Sequence, residues 1–189
     1  MWKTRRKPAH PVASTQRLFL ALWPDDKTRD HIDGLSRKLA DWGGRRVPAR
    51  NLHITLAFLG DVCDSQTAAL CQSLDELPSQ SGSQESACTI TLDHIGYWRQ
   101  PRVLWLGCAT NPAASQLQAG IRRVVRSHEL ERDPRPWAPH VTVRRNVRRG
   151  PQHESIEPLA WTVSEFVLVK SEFSANGGVR YSVVNSWSL

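Results

Sequence analysis

No stretch of the 189 residues approaches the ~18 consecutive apolar residues that a membrane-spanning helix needs, so a helical membrane protein is excluded and no membrane partner is expected. Cysteine is scarce. Cys63, Cys71, Cys88 and Cys108 form no Cys-x-x-Cys pair, which leaves neither a zinc pattern nor a disulfide framework. The N-terminal Met1-Trp2-Lys3-Thr4-Arg5-Arg6-Lys7 is basic but is not followed by an apolar signal core. A cytoplasmic, monomeric protein is the expectation. Carboxylate pairs and His/Cys/Asp clusters at metal-ligand spacing are also missing, so no metal and no cofactor is expected.

What is present is a real core and a basic surface. Apolar residues make up 40% of the chain and eight are Trp. The formal net charge is +7 and the pI about 9.7, which suits a polyanionic partner such as RNA. Residues 1–16 lack periodicity and read as a disordered basic tail. Residues 17–189 read as one bilobal domain.

Within that domain a tetrad occurs twice. His53-Ile54-Thr55-Leu56 returns 87 residues later as His140-Val141-Thr142-Val143. On a strand, residues i and i+2 share a face, so each tetrad presents one imidazole and one hydroxyl together. Each also closes a longer unit. Arg17-Leu18-Phe19-Leu20-Ala21-Leu22-Trp23 precedes His53 at 36 residues from Arg17, and Arg102-Val103-Leu104-Trp105-Leu106-Gly107-Cys108 precedes His140 at 38 from Arg102. An amphipathic helix lies between the members of each pair. Two strand–helix–strand repeats, about 17–60 and 102–147, imply an α+β pseudo-twofold domain. Two mixed or antiparallel sheets should line a central cleft, with helices outside.

The chain between these landmarks reads as follows. Asp25 or Asp26 caps a helix to about Trp42, with Ile32, Leu35, Leu39 and Trp42 on one face. Strand 53–59 should alternate, with Ile54, Leu56 and Phe58 on one side. A helix covers 65–77 and a loop 78–86. Strands 88–98 and 102–108 form a hairpin, and this region is the expected hinge between lobes. Asn111 and Pro112 open a helix whose buried face carries Leu117, Ile121, Val124 and Val125. Two final strands, about 161–172 and 179–188, turn at Asn176-Gly177-Gly178.

Two imidazoles on opposite sides of one phosphorus can act as base and acid in a single turnover. The Thr hydroxyls and a nearby Arg can bind non-bridging oxygens and stabilise transition-state charge. A single such histidine is ordinarily structural; the repetition in matched context is what points to chemistry. His10, His31, His94, His128 and His153 lack a second copy and read as structural or surface residues. Trp98, Trp105 and Trp137 read as core or loop anchors rather than base-stacking platforms, with Trp137, close before His140, the best stacking candidate of the three.

The combination resembles the two-histidine phosphoesterase superfamily, most closely the bacterial and archaeal RNA 2′,3′-cyclic phosphodiesterases, also called 2′-5′ RNA ligases. The matching pieces are Arg17–Leu22, Asn51–Gly60, Pro139–Val143, Ser171-Glu172 and Gly177–Tyr181. The resemblance implies metal-independent hydrolysis of a terminal 2′,3′-cyclic phosphate of RNA or an oligonucleotide to a 2′-phosphate, and 2′-5′ ligation in vitro. It implies that His53 is the acid toward the 3′ oxygen, that His140 activates water, and that Thr55, Thr142 and Arg145 bind phosphate. The near-symmetry of the two histidines leaves acid and base interchangeable on the residues alone. Strict alternation from His140 puts Arg144 on the catalytic face; a bulge there puts Arg145 on it instead, and Arg145 is the favoured residue. The other readings are a non-catalytic RNA- or nucleotide-binding module of the same fold and a 2′-5′ oligonucleotide phosphodiesterase.

Overall fold

The structure, a computed structural model, describes residues 14–77, 88–109, 111–151, 154–173 and 178–189. His10, His153, the 78–86 loop, Asn176-Gly177 and nearly all of the basic tail lie outside these. Of the expected tail, Thr15 and Gln16 already belong to the first strand.

In chain order the elements are β1 (Thr15–Leu22), α1 (Asp26–Lys38), β2 (Arg45–Arg46), β3 (Ile54–Cys63), α2 (Asp64–Asp75), β4 (Cys88–Trp98), β5 (Val103–Cys108), α3 (Pro112–Ser127), β6 (His140–Arg145), β7 (Glu154–Val163), β8 (Glu165–Phe173) and β9 (Val179–Ser188). Asp25 caps α1 by accepting from the Thr28 amide at 2.7 Å, and Asn111 caps α3 by accepting from the Ala114 amide at 3.0 Å. Short 3-10 turns at Ala40–Trp42 and Ala49–Asn51 carry the chain from α1 into β3.

The strands hydrogen-bond in the order β7-β4-β5-β6-β3-β1-β8-β9, with β2 added against β6. Every pairing is antiparallel. The two sheets expected from sequence are thus two halves of one antiparallel sheet, and among the described residues no strands pair in parallel. The halves meet between β3 and β6 at Ile54 and Val141. These are the second residues of the two tetrads, so the pseudo-twofold axis passes through the pair, and each tetrad faces its own counterpart.

Helices cover one face of the sheet. Leu18, Leu20, Leu22, Ile54, Leu56, Val141 and Val143 bury that face against Ile32, Leu70, Leu74, Leu117, Ile121 and Val125. On the other face, Phe19, Ala21, Val167 and Val169 form a smaller apolar cluster with Trp23 and Tyr181 beside it. Burying β1 on both faces suits a central strand and explains its unbroken apolar run.

The expected strand 161–172 is two strands. β7 lies at the sheet edge, pairs with β4 alone, and contains Pro158 near a register shift. Proline is tolerated at such an edge, but it hides the strand in the sequence.

The pairing also shows two matched bulges. On β3 the partners of Leu20 and Ala21 are Ala57 and Thr55, which leaves Leu56 unpaired in that ladder. On β6 the partners of Leu104 and Trp105 are Arg144 and Thr142, which leaves Val143 unpaired. Each bulge falls at the fourth residue of a tetrad. A bulge takes a carbonyl out of register, and a buried carbonyl needs a donor. The helix of the opposite repeat reaches each of these carbonyls, that of Val143 also accepting from the Val47 amide at 2.9 Å. Gln118 of α3 donates to the Leu56 carbonyl at 3.2 Å, and Ser36 of α1 donates to the Val143 carbonyl at 3.3 Å. Both polar side chains are buried, and this pairing explains their presence in the core.

Candidate active site

The bulges decide what enters the cleft. Up to the bulge the strands alternate as read from sequence, with His53 and Thr55, and His140 and Thr142, on the face away from the helices. Beyond it the phase flips. Phe58, expected to point with Ile54 and Leu56, is instead 51% exposed and lines the cleft. On β6 the consecutive residues Val143 and Arg144 are both buried, and Arg145 emerges into the cleft. The Arg144 guanidinium turns inward and donates to the carbonyls of Gly43 (2.6 Å), Gly44 (3.1 Å) and Ser36 (3.3 Å). Gly44 has φ +71°, and a Cβ there would lie 2.6 Å from the Arg145 carbonyl, so glycine alone permits this approach.

His53, Thr55, His140, Thr142 and Arg145 all line one cavity of about 500 Å³. The imidazoles are held alike. His53 Nδ1–H donates to the Asn51 carbonyl at 2.8 Å, and His140 Nδ1–H donates to the Ala138 carbonyl at 2.7 Å. A carbonyl only accepts, so the proton of each neutral ring sits on Nδ1 and Nε2 carries the lone pair. The Thr55 hydroxyl lies 3.1 Å from His53 Nε2.

Each ring is also wedged among aromatics. Trp23 stacks on His53 at 5.6 Å between centroids and 13° between planes, while Phe19 and Tyr181 close in at 4.9 and 5.3 Å. Around His140, Trp98 and Trp105 stand at 4.4 and 6.1 Å. These rings were not legible as site residues, and Trp98 and Trp105 read as anchors. The strand register explains why. Ala21 lies opposite Thr55 and Trp105 lies opposite Thr142. The two first strands therefore superpose one residue away from the Arg17-on-Arg102 alignment, and the tryptophan takes the place of an alanine. Room for its indole comes from Gly96 and Gly107, where any Cβ would collide with Trp105. Gly96→Ala is expected to displace Trp105, lower the melting temperature and reduce turnover together, measurable by thermal denaturation and steady-state kinetics.

Burial among these rings lowers the affinity of both imidazoles for a second proton. It pushes His53 down to about 4, with the His140 and Arg145 charges adding to the effect and the Asn51 carbonyl opposing it. His140 is lowered too, by burial and then by Arg145, against the Ala138 carbonyl. The sign for stability follows. Between the unfolded value near 6.5 and the folded value, the unfolded chain binds more protons, so stability drops as pH falls through that window. Thermal melts of wild type should therefore lose stability from pH 7 to pH 5 more steeply than melts of His53→Asn. Equal slopes would remove His53 as the cause.

Among the described residues no group of three or more His, Cys, Asp or Glu side chains is placed to hold a metal ion, and no helix is long and apolar enough to cross a membrane.

An antiparallel α+β domain built from two repeats, each delivering one His-x-Thr to a shared cleft, is the architecture of the two-histidine phosphoesterases. The family model described as the 2′-5′ RNA ligase superfamily matches residues 24–173. A protein of Escherichia coli strain K12 named RNA 2′,3′-cyclic phosphodiesterase is 32% identical over 184 residues, covering 94% of this chain and 99% of the relative. One of the same name from Thermus thermophilus is 30% identical over 187 residues, covering 92% and 90%. The crystal structure of E. coli LigT complexed with 3′-AMP superposes with a TM-score of 0.78 at 32% identity, covering 93% of this chain and 98% of that one. The chain belongs to the 2′-5′ RNA ligase superfamily.

Proposed function

We propose that this protein is an RNA 2′,3′-cyclic phosphodiesterase that opens a terminal cyclic phosphate to a 2′-phosphate by acid–base catalysis between His53 and His140. The observation that carries the mechanism is the matched tethering of the two rings, each with Nδ1 on a carbonyl and Nε2 turned to the cleft, that of His53 against the Thr55 hydroxyl.

In the reaction His140 Nε2 takes a proton from water as the water oxygen bonds to phosphorus. The P–O3′ bond breaks, and His53 Nε2–H protonates the departing 3′ oxygen. The 2′ oxygen keeps the phosphate. Thr55, Thr142 and Arg145 hold the non-bridging oxygens and balance the charge that builds on them. Both rings are neutral in the free protein near pH 7, so the acid needs a proton. An anionic phosphodiester against Nε2 favours the imidazolium, and substrate binding thus supplies the protonation state that hydrolysis requires. Solvent then returns the proton from His140 to His53.

The test is product analysis on a short RNA with a 2′,3′-cyclic phosphate end, in EDTA. The expected product carries a 2′-phosphate and a free 3′-hydroxyl. Release of a 3′-phosphate would reverse the roles of the two histidines. Binding of the end without turnover would make the protein a binding module of this fold.

A further inference from the structure

The cleft continues past the histidines in two directions, and the two sides differ in charge. Toward Trp98 and Trp137 the walls combine aromatic rings with two ion pairs, Arg122 with Glu131 and Arg135 with Asp133, so that side is balanced in charge. Toward the other side a groove of about 630 Å³ opens, and its lining contains Arg17, Arg45, Arg46, Arg50, Arg132 and Arg145 with no Asp or Glu.

These arginines are not equally available. Arg46 bonds the buried Asp33, and Arg132 Nε donates to the Leu59 carbonyl at 3.2 Å. Arg17, Arg45 and Arg50 are exposed, and they make no ion pair among the described residues. Three separate elements deliver them: β1, β2 and the turn at Ala49–Asn51. Phe173, at the end of β8, joins the same lining and is 80% exposed. A large aromatic left in water beside free guanidinium groups is the composition of a single-strand track: charge for the backbone, and a flat face for a base.

A cyclic 2′,3′-phosphate terminates an RNA strand, so the rest of the strand must leave the site on one side. We infer that it leaves along the arginine groove, with Arg17, Arg45 and Arg50 contacting successive phosphates and Phe173 stacking a base upstream of the reacting nucleotide. The inference rests on the proposed hydrolysis for its orientation. It makes the preferred substrate an oligonucleotide rather than a cyclic mononucleotide, which is too short to enter the groove.

The experiment compares a cyclic-ended RNA octamer with adenosine 2′,3′-cyclic phosphate, using wild type, Phe173→Ala and the triple variant Arg17→Ala/Arg45→Ala/Arg50→Ala. Wild type should favour the octamer in kcat/KM. The triple variant should lose roughly tenfold to a hundredfold on the octamer, through KM, and stay near wild type on the mononucleotide. Phe173→Ala should lose roughly tenfold on the octamer alone. Binding of a 2′-phosphate-ended octamer, followed by fluorescence anisotropy across a salt series, needs no turnover. There the triple variant should flatten the slope of log K against log salt by about 2. An unchanged slope, equal losses on both substrates, or no octamer preference in wild type would overturn the groove assignment. No turnover of either substrate with a flattened slope would overturn the hydrolysis and leave the groove standing.

Discussion

His53→Asn and His140→Asn each lower kcat on a cyclic-ended RNA by about 10²–10⁴-fold, the range set by loss of a positioned acid or base. Asparagine is the informative replacement because its amide can donate from nearly the place of imidazole Nδ1. The variant keeps a donor for the Asn51 or Ala138 carbonyl while Nε2 disappears. Melting temperature should therefore change far less than activity. The double variant should be little worse than either single one, since acid and base act in the same step. The pH profile separates the two. The variant lacking the base should lose the limb that reports a neutral imidazole, and the variant lacking the acid should lose the limb that reports a protonated one. Steady-state kinetics with a melt for each protein checks all of this. Activity within tenfold of wild type in either variant would dismiss the paired mechanism.

How much of this site could be read from the chain depends on how local each feature is. The tetrads were legible because a period of two fixes which side chains share a face, and because the pattern occurs twice in matched surroundings. The helix caps were legible because a cap is decided within four residues, Asn111 directly and Asp25 as one of two adjacent candidates. The aromatic box was not. Trp98 reaches His140 from β4, and Tyr181 reaches His53 from β9; both contacts depend on strand order, which no local pattern encodes. The merging of two sheets into one depends on Ile54 and Val141, two ordinary apolar residues whose pairing is visible only once the halves meet. The phase of Phe58 was misread because the bulge at Leu56 has no glycine or proline to announce it. Its one trace in the sequence is Gln118, a polar residue on the buried face of an amphipathic helix, waiting for a carbonyl that an ordinary ladder would not provide.

That logic gives the second large effect, at Arg144 and Arg145. Adjacent arginines look interchangeable in sequence, but the bulge at Val143 sends them to opposite sides of the sheet. Arg144→Met leaves the carbonyls of Gly43, Gly44 and Ser36 without their guanidinium donor. The expected loss is about 3 kcal/mol, because three charged hydrogen bonds go and the buried Ser36 carbonyl loses a donor. For a chain of this size that lowers the melting temperature by roughly 6–12 °C. Arg145→Met should do the reverse. Its side chain is exposed in the cleft, so stability barely moves, while loss of one cation facing the developing phosphate charge costs about 10²–10³-fold in kcat. A readout independent of turnover is available, because the Arg145 charge holds down both imidazoles. Histidine titration followed by NMR should show both moving up in Arg145→Met. If Arg144→Met melts like wild type and loses activity instead, the bulge has been placed on the wrong residue and strict alternation holds to the end of the strand.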